Sequence, residues 1–271
     1  MRVRRADTPA NPSRRSFALL MTALAGSSGG CSGSASEERV RLRTKVALHG
    51  SPTFDNALGW HVELDGAWLS IGSLRLLEGA PLGLRAPRSL LDLLVKTAHA
   101  HPGHYHEGAV LAEMLSPQSV DLLETTELDV AEAVTGAPLS GQLVLTSPAI
   151  GAHAELLDEA VVRLEGVARP TDPDVDDEPR RFVATASVAE LGSSMGTVEI
   201  TGCPYDGGPI RAAGTMLLGV DVALWLDQVD FTGIAPKASA VSLSTDTRAH
   251  NGFLRGLAKA AAYRFDLQSD P

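Results

Sequence analysis

Four of the eight histidines fall in one short stretch, HAHPGHYHE: His99, His101, His104 and His106, followed at once by Glu107. Imidazole nitrogen suits zinc, copper or nickel, and a neighbouring carboxylate can complete the coordination. Pro102 and Gly103 favour a turn. Folding the chain there can bring these imidazoles within the roughly 2 Å bond length that such a metal requires. In an extended segment His99 and His101 share one face, and His104 and His106 share one after the turn. The pattern predicts a transition-metal site. Its bland counterpart is a polar loop whose histidines meet water or backbone carbonyls.

Further donors that could complete the site are His61, His153, His250 and Cys203. Taken singly, these histidines and His49 read as surface or hydrogen-bonded side chains. Cys203, in TGCPYDGG, reads first as a packed thiol and second as a soft ligand. Asp172, Asp174 and Asp176 form the D-x-D-x-D start of a calcium loop, but Asp177 stands at the turn glycine and Val183 at the bidentate glutamate. That segment reads as a solvated acidic loop. The chain has no phosphate loop and no dinucleotide fingerprint, so the nucleotide-binding class loses ground.

Around the histidines, TAHAHPGH resembles the H-x-H-x-D-H motif of the metallo-β-lactamase family, with His99, His101 and His104 in the histidine positions and Gly103 where the aspartate would stand. The resemblance implies zinc-dependent hydrolysis, with His153 and His250 at separations loosely compatible with its remaining ligands. The aspartate that family uses on its second metal is absent. The order of features, an early strand pair around Trp60 to Gly79, a His-rich middle and a late long strand near Val220 to Phe231 with Trp225, is similar to copper-associated periplasmic lipoproteins of methanobactin systems. That resemblance implies metal handling and assigns no residue.

The elements that must position these groups read mostly as strands. From Arg39 to Leu48, Val40, Leu42, Thr44, Val46 and Leu48 alternate with Arg41, Arg43 and Lys45, the period of a half-buried strand. Trp60 to Leu77 reads as a hairpin or meander interrupted at Gly66. Ala160 to Ala168, Phe182 to Val188, Gly196 to Ile200 and Tyr263 to Leu267 alternate as well, and Met216 to Leu226 is the longest such run. Two short helices are expected, at Ser89 to Lys96 and at Phe253 to Ala262, the second with Asn251 as its cap. Pro170 to Pro179, acidic and proline-bounded, is expected to be an exposed loop. The 26 glycines, 16 prolines and 4% aromatics agree with a turn-rich β chain. With 33 acidic against 23 basic residues the chain repels phosphate backbones, which excludes a nucleic-acid partner.

Residues 1–30 read as a signal peptide: basic with Arg2, Arg4 and Arg5, then apolar from Phe17 to Ala25, then small. SRRSFALL, with Arg14 and Arg15, resembles the twin-arginine export signal. GSSGGC resembles a bacterial lipoprotein cleavage site that would leave Cys31 acylated, although Ser28 stands where a leucine-like residue is usual. If Cys31 carries lipid, Cys203 has no internal partner and no disulfide is expected.

Residues 31–38 then form a lipid-anchored flexible linker. Residues 39–271 form a single all-β domain, β-sandwich-like and mostly antiparallel, with one or two short helices. The expected setting is the cell envelope, on the periplasmic or outer-membrane side, with membrane contact through the acyl chains. The expected work is capture, delivery or sensing of zinc, copper or nickel through His99, His101, His104, His106 and Glu107. An interaction lipoprotein without metal and the hydrolase named above are the alternatives.

Overall fold

The computed structural model describes residues 38–80, 107–172, 178–243, 245 and 247–269. The segment of Ser89 to Lys96 expected to be helical, His99, His101, His104 and His106, the acidic loop at 173–177, and the N-terminal residues with Arg14, Arg15 and Cys31 lie outside them. The fold is all-β and mostly antiparallel, with three short α-helices among the described residues. None of those helices is long and apolar enough to cross a membrane.

The strand β1, Arg39–Leu48, has the bounds and the buried face that its alternation predicts, with Leu42, Thr44 and Val46 inside. After the short β2, Thr53–Asp55, the chain enters β3, Trp60–Leu77, one strand of 18 residues. Gly66 makes no turn, contrary to the hairpin expected at that point. The register slips between Leu64 and Gly66 against the neighbouring strand, and the Trp68 ring lies over the glycine, 2.0 Å from where a Cβ would stand. A second slip falls between Ile71 and Ser73. Each slip inserts one residue and exchanges the two faces of the strand. The core side of β3 is accordingly Trp60, Val62 and Leu64, then Ala67, Leu69 and Ile71, then Leu74 and Leu76.

The long strand organises the sheet. One edge of β3 pairs with β8, Ala160–Pro170, over Trp60 to Leu69, and with β7, Ser140–Thr146, over Ile71 to Leu77. The other edge carries β2, then β5, Gln118–Asp121, then β4, Val110–Met114. From β4 the path runs through β6, Thr126–Val134, and β1 to β11, Gly214–Val220, and β13, Tyr263–Ser269. The chain then returns: Tyr205, just past β10, Thr197–Pro204, bridges Phe265 of β13, and the Asp206 amide donates to the Phe265 carbonyl at 3.0 Å. Because β10 pairs with β7 and β7 with β3, these strands close a ring. Its inside is filled by side chains such as Leu42, Leu143, Met216 and Phe265.

Outside the ring β8 continues through β9, Arg180–Ser187, to the parallel edge strand β12, Lys237–Ser242. The helix α1, Ala154–Leu157, is a single turn. The alternation from Met216 does not continue as a strand past Val220: Asp221 accepts a hydrogen bond from the Leu224 amide and caps α2, Val222–Leu226. The late helix begins earlier than expected, as α3, Arg248–Leu257, with Thr247 rather than Asn251 as its cap. Gly252 and Gly256 of α3 face the carbonyls of Gln228 and Trp225, each 2.3 Å from a built Cβ, so only glycine lets α3 pack this close to α2.

Candidate functional site

The chain leaves β3 and re-enters β4 at a fixed point. The Glu78 amide donates to the Ala109 carbonyl at 3.0 Å and the Gly79 amide to the Glu107 carbonyl at 2.8 Å. The Ser140 hydroxyl donates to the Gly79 carbonyl from the other side. Gly108 sits at φ +67°, and a Cβ there would stand 2.8 Å from the Gly79 nitrogen, so this junction requires glycine. The four clustered histidines lie in the sequence between these tied ends. Glu107 is the candidate ligand that is described: its backbone closes the junction while its side chain is exposed. Val110 and Leu139, 44% and 51% exposed, flank Leu77 at the same end of the ring.

The other candidate donors are dispersed. His61 on β3 holds Asp55 of β2 through Nδ1 at 2.6 Å, across an exposed hairpin. His153 precedes α1, and its amide donates to the Ser119 hydroxyl at 3.0 Å. His250 stands in the first turn of α3, 3% exposed, with Nε2 3.1 Å from Glu190 Oε1 and, among the described residues, no partner for the buried Nδ1. Burial raises the Glu190 carboxyl, but the amide and hydroxyl of Ser187, both at 2.8 Å, together with His250, hold it below its ordinary value. Cys203 is a free, buried thiol pushed up to about 12 by burial, with Sγ 3.4 Å from the Ile200 carbonyl. Its burial agrees with the first reading of this residue, a packed thiol. Among the described residues no group of three or more His, Cys, Asp or Glu side chains is placed to hold a metal ion.

One arrangement had no signal in the linear pattern. Arg180, at the start of β9, directs Nη1 to the carbonyls of Phe231, Thr232 and Ile234 at 3.1, 2.7 and 2.7 Å, while its guanidinium lies 4.9 Å from the centre of the Trp60 ring. The turn it grips is capped by Asp230, whose carboxylate accepts from the Thr232 amide and hydroxyl at 2.9 and 2.6 Å. These bonds, with smaller help from Trp60 and Arg180, hold the Asp230 carboxyl below its ordinary value. The D-x-T spelling of the turn is visible in the sequence; the arginine that locks it comes from a strand some fifty residues away.

Scans against protein-family models, curated proteins and solved structures each return no match.

Proposed function

We propose that this protein is an exported, lipid-anchored β-domain of the bacterial cell envelope that binds zinc, copper or nickel through the segment from His99 to Glu107, for capture, delivery or sensing. The observation that carries the reading is the tied junction, with the Gly79 amide on the Glu107 carbonyl at 2.8 Å. A loop whose ends are already joined has less chain entropy to lose when its side chains gather on an ion. The twin-arginine-like and lipoprotein-like strings supply the envelope part of the proposal. Of the two further histidines that the hydrolase alternative would use, His250 turns its Nε2 to Glu190 at 3.1 Å.

Elemental analysis of the untagged protein, extracted from the envelope in detergent, tests the metal. The expected result is about one equivalent of zinc, copper or nickel, lost in the His101→Ala, His104→Ala double variant. Metal-free protein that also takes up no added zinc, copper(I) or nickel overturns the metal reading. Mass spectrometry of the N-terminal peptide tests the anchor: acyl chains on Cys31 are expected, and an unmodified Cys31 overturns that half alone.

A further inference from the structure

A second place on the domain has the character of a small-molecule site. Between the turn at Asp230 to Ile234, the strand β12 and the start of α3 lies a cleft of about 360 Å³. That is within the range of sites that take small organic ligands. Its apolar lining is Ile234, Val241, Leu243 and Ala249, alongside the hydroxyl-bearing Thr232, Ser242 and Thr247. Its charged lining is Arg248 and Asp230.

These two charges are not equivalent. The Asp230 carboxylate accepts both Thr232 bonds through Oδ1 and sits in the field of Arg180. Arg248 is exposed, and among the described residues it makes no ion pair or hydrogen bond. It also occupies the first turn of α3, where the helix dipole adds positive potential. The wall opposite is held by Arg180, which binds the carbonyls of Phe231, Thr232 and Ile234 in the turn. A preformed apolar slot with one unspent guanidinium at its mouth suits a ligand that is apolar along its body and anionic at one end.

We propose that this cleft binds a small amphipathic monocarboxylate, with its chain between Val241, Leu243 and Ile234 and its carboxylate on Arg248. The site shares no residue with the histidine segment, so the two proposals stand or fall separately.

Titration of the full-length protein with octanoate, octanol and octylamine, followed by calorimetry and by methyl NMR, tests the assignment. Octanoate is expected to saturate one site, to shift the methyl signals of Ile234, Val241, Leu243 and Ala249, and to bind more tightly than either comparator. In Arg248→Gln, an exposed substitution that leaves the fold intact, octanoate is expected to weaken by about five-fold or more while octanol is unchanged. Octanoate shifts confined to other residues, octylamine binding as tight as octanoate, or an unchanged octanoate affinity in Arg248→Gln would each overturn the proposal.

Discussion

The ring of Phe265 on β13 fills the space that a side chain on Gly141 of β7 would take, with its Cδ2 only 2.1 Å from a built Cβ. The two strands meet there inside the ring, next to the bridge between Tyr205 and Phe265 that closes it. Gly141→Ala should therefore destabilise the domain by about 2 to 3 kcal/mol, although alanine is better suited than glycine to an ordinary strand. Urea unfolding measures it; a variant as stable as the parent would mean that Phe265 has room to move aside.

Arg180 holds three carbonyls and stacks on Trp60. Arg180→Met keeps the aliphatic stem and removes the donors, at a cost of about 2 to 4 kcal/mol. Arg180→Lys should recover only part of it, because the shorter side chain brings its ammonium less far into the turn and gives up the planar guanidinium over the Trp60 ring. Thermal unfolding of the three proteins gives the order.

The Glu190 carboxylate is worth most to the fold when ionised. Its value is lowered in the folded protein, so the unfolded chain binds the proton more readily. The stability it contributes is complete above the ordinary glutamate value and is lost as pH falls through the lowered one. Glu190→Gln should be less stable near neutrality by about 1 to 3 kcal/mol and should lose less on acidification between about pH 5 and pH 3. Chemical denaturation across that range reads both effects, and parallel pH profiles for parent and variant would contradict them.

Cys203 is buried and its thiol is pushed up to about 12. In protein carrying Cys31→Ser, a disulfide reagent at mildly alkaline pH should leave Cys203 unmodified in the native state and label it fully in denaturant. Rapid labelling of the native protein would show the thiol to be far more accessible than its packing indicates.

How much of this was legible in the sequence depends on parity. Arg39 to Leu48 keeps one phase on its buried face and was readable to the residue. Trp60 to Leu77 changes phase twice, at Gly66 and Gly72, and reads as broken although it is one strand. The strand β6 resists the pattern for the same reason: its register against β1 slips between Leu42 and Thr44, so Leu128 and Ala131 face one side out of step. The strand β7 shows almost no alternation, because residues from Ser140 to Leu145 are all buried. At Val222 to Leu226 both periods fit the apolar residues, and the capping carboxylate of Asp221 decides for helix. The cluster of four histidines is visible as composition and lies outside the described residues, whereas the pairing of His250 with Glu190 joins residues sixty apart and leaves no local trace.

The closure of the ring also sets an order of events during biosynthesis. The strand β1 is flanked by β6 on one side and by β11 on the other, and β11 is in turn covered by β13, the last of the described strands. While the protein emerges from the ribosome, one edge of its first strand stays unpaired until Gly214 to Val220 are made, and the ring cannot shut until Tyr263 to Ser269 follow. Pairings this distant in sequence form slowly, and an open edge can recruit other chains in the meantime. Closure of the ring must therefore wait until Tyr263 to Ser269 are made and can cover β11.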